Sequence, residues 1–179
     1  MAIEVLVGVV MLGLVLVVSY MALERIGNER CKQDMAGAFQ TLGIAINDVL
    51  TSGTGRELSV RFDIPACFEP SRSVLLIGER SGQDCVFSCK RNVNVCSLLT
   101  FTSFDLTEDP PRERVLPPYC LDAYLDQNSV EPCPPSTTDN LTGAFFPFGG
   151  RDRDSNYRFR PNNNFTIKRT IEGLCMQRR

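Results

Sequence analysis

Residues 5–23 read VLVGVVMLGLVLVVSYMAL and contain no charged side chain. As an α-helix this run extends about 28 Å, close to the thickness of the hydrocarbon core of a bilayer. A removable signal peptide has a basic segment before a shorter apolar core and a small-residue cleavage site after it. No Lys or Arg precedes Val5, and the apolar run continues directly into Glu24 and Arg25. We therefore expect this segment to stay in the protein and to span a membrane.

The helical pattern continues beyond the apolar run as an amphipathic stripe. Apolar residues recur there at spacings of three and four, on one side of a 3.6-residue repeat: Met35, Ala38, Phe39, Leu42, Ala45, Ile46, Val49 and Leu50. Cys31 lies on the same side, so we expect it to bond to a cysteine of the C-terminal part. Turn-forming residues at 51–55 predict the end of the helix, and the first proline is Pro65. The sequence thus predicts one helix over residues 1–52, about 75 Å long.

Eight cysteines, an even number, all follow residue 30: Cys31, Cys67, Cys85, Cys89, Cys96, Cys120, Cys133 and Cys175. Such a density in a short chain is typical of disulfide-bonded proteins of oxidising compartments. A zinc site would need four of these thiolates at irregular spacings, because the chain has no CxxC pair and no histidine. We therefore predict disulfides, no metal site and no cofactor. Within this framework we expect Cys120 to bond to Cys133, and Cys175 to tie down the C-terminal end.

Residues 56–179 are predicted to form a disulfide-bonded, β-rich head domain. Apolar and polar residues alternate over 58–64, which predicts a half-buried strand. Further strands are predicted over 73–77, 85–89, 93–96, 98–102 and 165–171, the last being the final strand of the chain. Proline pairs mark turns at 110–111, 117–118 and 134–135. The predicted fold class is α+β: a long N-terminal helix, hydrophobic and then amphipathic, carrying a mostly β head.

The composition narrows the possible functions. The chain has no histidine, the commonest general base and metal ligand, and no pair of carboxylates stands out. We therefore predict no catalytic residue and no enzyme. The net charge of -2 gives no sign of a nucleic-acid partner. The charged and aromatic segment 151–160 is interpreted as a solvated face or a contact between subunits.

Two sets of residues predict opposite sides of the membrane for the head. Arg25, Arg30 and Lys32 would place the head inside the cell. The disulfides, and two glycosylation sequons at Asn140 and Asn164, place it outside. A basic leader, removed after insertion, resolves the conflict because its charges would hold the N-terminus in the cytoplasm.

Glu4 stands at the start of the apolar run. A carboxylate at this position marks the membrane edge, or it pairs within an assembly. In an assembly, the nearest available cation is the free α-amino group of Met1 on a neighbouring copy. Such a pair would set the axial register between subunits.

Together these features resemble mature type IV pilins. This chain and mature type IV pilins share a retained apolar helix that begins almost at residue 1, an early glutamate, an amphipathic continuation and a disulfide-bearing head. The opening MAIEV is similar to that of archaeal pilins, whose leader is removed by a prepilin peptidase. The resemblance covers the N-terminal helix and not the head. The acidic residue is usually fifth in the family and is fourth here, and the proline that melts the helix of many bacterial pilins is absent.

The resemblance implies a structural subunit of an extracellular, cell-surface filament with the helices in its core and the heads outside. The implied partners are further copies in a helical homopolymer, the membrane before assembly, a prepilin peptidase and the pilus assembly machinery. Two other interpretations remain open. One is a single-span, membrane-anchored surface protein, an adhesin or a receptor. The other is a secreted enzyme that works with carboxylates alone, such as a glycosidase.

Overall fold

A computed structural model describes residues 2–90, 94–123, 125, 131–133, 143–147, 157–159 and 164–178. For 2–5, 84, 131–132, 143–147, 157–159 and 178 it describes the backbone alone. The predicted turn at 134–135 and residues 151–156 and 160 of the charged and aromatic segment lie outside the described residues.

The N-terminal part of the fold is one continuous helix, α1, over Ala2–Thr51. Its 50 residues confirm the predicted length and the predicted end. The amphipathic stripe is also confirmed, since Met35, Leu42, Ile46 and Val49 are completely buried. The helix is thus apolar on all sides at its beginning and apolar on one side where the head packs against it.

Within the described residues, the head consists of strands with two small helical elements. The strands are β1 (Glu57–Arg61), β2 (Val74–Ser81), β3 (Val95–Asp105), β4 (Arg112–Val115), β5 (Tyr119–Leu121), β6 (Glu131–Pro132), β7 (Gly143–Pro147), β8 (Tyr157–Phe159), β9 (Asn164–Arg169) and β10 (Gly173–Arg178). A 3₁₀ turn covers Pro70–Arg72, and a short helix, α2, covers Gln83–Cys89. With the long helix, these strands confirm the predicted α+β class.

The strands form two antiparallel sheets. The first sheet has the order β1-β9-β10-β7-β6, and the second has the order β4-β3-β2-β8, with β5 pairing with the other half of β3. The inner face of each sheet packs against the amphipathic half of α1, so that helix and sheets share one core. Phe101 lies within this core, its ring centroid 5.8 Å from that of Phe62 and 6.2 Å from that of Phe39. The helix is therefore part of the core of the head.

Four of the predicted strands need correction. Residues 85–89, predicted as a strand, form helix α2, which lies in the connection between the paired strands β2 and β3. A short apolar run does not distinguish the two structures by its periodicity. The two strands predicted at 93–96 and 98–102 are parts of the single strand β3, although residue 93 itself lies outside the described residues. The strand predicted over 165–171 ends at Arg169, and β10 follows it, so it is not the last strand.

A close approach between α1 and β5 gives a first testable prediction. A Cβ atom added at Gly43 would lie 2.5 Å from Cγ of the Tyr119 ring, whereas one added at Gly37 on the same helix meets nothing within 4 Å. Gly43→Ala is therefore expected to destabilise the head by about 1–3 kcal/mol through overpacking. Gly37→Ala is expected to stabilise it by about 0.5–1 kcal/mol through helix propensity. Urea unfolding of the full chain in non-ionic detergent measures both, and equal effects of the two substitutions would contradict the packing.

Candidate functional site

The first part of α1 extends beyond the head. We call residues 6–26 the projecting segment. Every large apolar side chain from Leu6 to Ile26 is more than half exposed, for example Leu12 at 65% and Leu16 at 63%. An 18-residue window of α1 has a mean hydropathy of 2.6, and none of it is buried within the described structure. By length and composition α1 is therefore able to cross a membrane.

This exposure has a physical consequence. Soluble monomers rarely expose contiguous apolar patches larger than a few hundred Å², because apolar surface in water is unfavourable. The backbone of the projecting segment is hydrogen-bonded within the helix, so the segment enters an apolar environment without losing those bonds. The segment fits two environments, the hydrocarbon core of a membrane or the interior of a bundle of like helices.

The two predicted assembly residues precede this segment. Met1 lies outside the described residues, and of Glu4 the structure describes only the helical backbone. Their pairing between copies stays a prediction.

A compact junction joins the projecting segment to the head. Cys31, just after the segment, is bonded to Cys67 with a Cα–Cα distance of 6.2 Å, which confirms the predicted bond from the helix to a head cysteine. The next residue, Lys32, places its Nζ 3.2 Å from Oδ2 of Asp105, at the end of β3. A covalent bond and an ion pair on adjacent helix residues thus fix α1 to the head. We call this group, Cys31, Lys32, Cys67 and Asp105, the junction.

Asp105 is the electrostatic centre of the junction. Its side chain is only 1% exposed, and it accepts hydrogen bonds from the backbone N–H and the hydroxyl of Thr107. Nη1 of Arg114 lies 3.2 Å from its Oδ2. Burial alone would raise the pKa of Asp105, but the hydrogen bonds from Thr107 and the charge of Lys32 outweigh it, and the pKa is lowered from 3.8. The ionised carboxylate is therefore the stable form in the folded protein.

A lowered pKa predicts the pH dependence of stability. The contribution of Asp105 is complete above its unfolded pKa of about 4 and is lost as pH falls through the lower folded value. Asp105→Asn is therefore expected to destabilise the head by about 2 kcal/mol at pH 7 and to flatten the loss of stability below pH ~4. Denaturant unfolding at a series of pH values measures this.

The exposed pair between Arg61 and Asp63 provides the control for that measurement. Its Nε–Oδ2 distance is 2.5 Å, but the side chains are 74% and 48% exposed. Exposed pairs contribute little, so Asp63→Asn is expected to change stability by less than about 1 kcal/mol. If Asp105→Asn changed stability no more than Asp63→Asn, the proposed role of the junction carboxylate would be wrong.

The other end of α1 is also tied to the head. Its last turn holds no basic residue, and the guanidinium of Arg169, from β9, donates hydrogen bonds to the carbonyl oxygens of Leu50 and Ser52. A cation at this position satisfies terminal carbonyls and favours the negative end of the helix dipole. Asn47 accepts a hydrogen bond from the backbone N–H of Asp122 at 2.9 Å. Residues 31–51 of α1, which we call the head-bound half, are therefore held to the head at both ends. Neither the Arg169 contact nor the Asn47 contact was predicted from the sequence.

All eight cysteines form disulfides, which confirms the predicted framework. The pairs are Cys31–Cys67, Cys85–Cys96, Cys89–Cys120 and Cys133–Cys175. The predicted Cys120–Cys133 bond is wrong, because Cys120 belongs to the second sheet and faces α2. Cys133 follows β6 of the first sheet and bonds across to β10, which confirms that Cys175 ties down the C-terminal end.

The two predicted glycosylation sites differ in what the structure describes. Asn140 lies outside the described residues. Asn164 is the exposed first residue of β9 and pairs with Arg61 of β1. Glycan attachment at both stays a prediction.

Comparison of the chain with protein-family models, with curated proteins and with solved structures finds no match. The projecting segment and the junction are therefore the features on which a functional proposal depends.

Proposed function

We propose that this protein is a structural subunit of an extracellular filament similar to a type IV pilus. In this filament the projecting segments of many copies pack together in the core, and the disulfide-bonded heads form the outer surface. The supporting observation is the projecting segment itself, whose large apolar side chains are all more than half exposed. Copies of the same helix are the partner that the resemblance to pilins implies.

Two different terms favour the packed bundle, one relative to exposure of the helix to water and one relative to its contact with lipid. Each Å² of apolar surface taken out of water contributes about 25 cal/mol, so several hundred Å² per subunit supply about 10 kcal/mol or more. Between membrane and filament this hydrophobic term largely cancels, and close packing of side chains then favours the bundle. Assembly from the membrane is therefore a transfer between two apolar environments.

The junction supports a polymer more than a lone anchor. A flexible linker is enough to display a head on a membrane, but in a helical polymer every subunit needs the same angle between helix and head. The Cys31–Cys67 bond and the Lys32–Asp105 pair hold that angle where the projecting segment ends. The rigid joint is thus a feature that an ordered array requires.

The exposed face of the head-bound half of α1 is also suited to contact with neighbouring copies. Between Asp34 and Asp48 the helix contains no charged residue, although Ala36, Gly37, Gln40, Thr41 and Ile44 are exposed there. Solvated helix faces usually carry charged side chains. An uncharged outer face, continuous with the projecting segment, suits a contact inside the filament.

The remaining partners follow from the proposed assembly. The disulfides suit the oxidising exterior of the cell, and the projecting segment holds the precursor in the membrane. The prepilin peptidase and the assembly machinery are proposed from the resemblance to pilins, as are glycans at Asn140 and Asn164 from their sequons.

Negative-stain microscopy of material sheared from the cell surface tests the proposal. We expect thin fibres that bind antibodies raised against the head, and mass spectrometry of the fibres should return this chain with eight oxidised cysteines. If the chain stays in the membrane fraction as a monomer and no fibre binds the antibody, the protein is a single-span surface protein instead.

A further inference from the structure

Helix α2 exposes an apolar patch on the outer side of the second sheet. Phe87 is 79% exposed, and Val86 beside it is 44% exposed. The Cys85–Cys96 bond, with a Cα–Cα distance of 5.7 Å, joins α2 to β3. We call Val86 and Phe87 the apolar knob. Two disulfides hold α2 in place, so the knob is presented rigidly.

An apolar cavity lies on the inner side of the same sheet. It has a volume of about 250 Å³ and is bordered by α1 and by the connection from β4 to β5: Ala36, Phe39, Gln40, Leu116, Pro117, Pro118 and Tyr119. A cavity of about 150 Å³ lined by apolar side chains accommodates a benzene molecule. The cavity therefore has room for the ring of a phenylalanine.

The knob and the cavity of one copy face opposite directions. Neighbouring residues of a strand point to opposite faces of its sheet. In β5 the Cys120 side chain bonds to Cys89 of α2, while the Tyr119 ring lies against Gly43 of α1. The sheet thus separates Phe87 from the cavity of its own chain. When the knob of one copy binds the cavity of the next, the contact repeats from copy to copy without closing.

We propose that Phe87 of each subunit inserts into the cavity beside α1 of the next subunit in the filament. This inference rests on the proposed function and names a second contact within the same polymer. It is continuous with the helix bundle, because Ala36, Phe39 and Gln40 of α1 border the cavity. One aromatic side chain buries far less than the roughly 1,200 Å² of a stable protein–protein interface, so isolated heads stay monomeric. The contact acts where the packed helices already hold the heads together, and it fixes their relative position.

Photocrosslinking in the full-length filament tests the contact directly. Phe87 is replaced by p-benzoylphenylalanine, and filaments are assembled from a mixture of ¹⁴N- and ¹⁵N-labelled subunits. We expect mixed-isotope crosslinks from position 87 to peptides that contain residues 36–40 or 116–119. Crosslinks within one chain only, crosslinks to other surfaces, or none at all would overturn the inference while leaving the filament itself in place. Failure of the unmodified chain to form filaments would overturn the proposed function as well.

A pair of substitutions gives an independent measure. Phe87→Ser removes the ring, and Ala36→Trp fills the cavity; both positions are exposed, so the head should fold with its four disulfides intact. Each is expected to accelerate heat-induced filament disassembly about ten-fold or more, from the loss of one buried aromatic side chain. Ile171→Ser is the matched control, since Ile171 is 83% exposed in the turn before β10. If Phe87→Ser filaments disassembled no faster than Ile171→Ser filaments, the inference would be wrong.

Discussion

Leu14→Glu is expected to abolish fibre formation while leaving the stability of the head unchanged within about 0.5 kcal/mol. Leu14 lies near the middle of the projecting segment and is 58% exposed. A carboxylate there would be buried without a partner in a helix bundle, which costs several kcal/mol. At the centre of a membrane-spanning helix the same charge costs about 3 kcal/mol. Sheared-fraction yield and denaturant unfolding measure the two effects separately.

The control for this experiment makes the same kind of substitution on the surface of the head. Ile171 is 83% exposed in the turn before β10. Ile171→Glu should leave fibres in yields comparable to those of the unmodified chain. Normal fibres from Leu14→Glu would show that the projecting segment is not in the filament core.

Removal of the junction disulfide is expected to destabilise the head strongly. The Cys31–Cys67 bond closes a separation of 36 residues, for which the chain-entropy model gives about 4 kcal/mol. The double substitution of both cysteines by serine is therefore expected to lower the free energy of unfolding by about that amount. Amide hydrogen exchange should also rise over residues 31–39, where α1 would be held by the Lys32–Asp105 pair and by packing.

The Cys85–Cys96 bond offers a matched comparison. It closes a separation of 11 residues, for which the same model gives about 3 kcal/mol, and it holds α2 instead of α1. Its double serine variant should show faster exchange around α2 and unchanged exchange over residues 31–39. Unchanged exchange over 31–39 after loss of Cys31–Cys67 would mean that this disulfide does not fix the helix to the head.

The helix was predictable from sequence because its signal is long and local. Residues 5–23 contain no charged side chain, and the apolar stripe from Met35 to Leu50 keeps the periodicity of an α-helix throughout. Each turn of the helix is therefore predicted by its own residues and their near neighbours. The stripe also placed Cys31 on the face that meets the head, which is why its bond to a head cysteine was foreseen. The alternation at 58–64 likewise located β1, where Leu58 and Val60 are half-buried and Ser59 and Arg61 are exposed.

Features that depend on distant parts of the chain were not predictable. Asp105 resembles any acidic residue after a strand, and only the fold brings Lys32, 73 positions earlier, to its carboxylate. Arg169 reaches the end of α1 across a separation of 119 positions. The sequence also did not show which of the 105 possible cysteine pairings forms, because strand order decides which sulfur atoms meet.

The most direct test of the proposed assembly is a helical reconstruction by cryo-electron microscopy of fibres sheared from the cell surface. We expect a core of parallel α-helices in which the side chains of residues 6–26 contact the same residues of other copies, with no lipid between them. The heads should lie outside, each joined to its helix at Cys31 and Cys67. Fibres whose core is built from another protein, or a chain found singly in the membrane with residues 6–26 surrounded by lipid, would contradict the proposal.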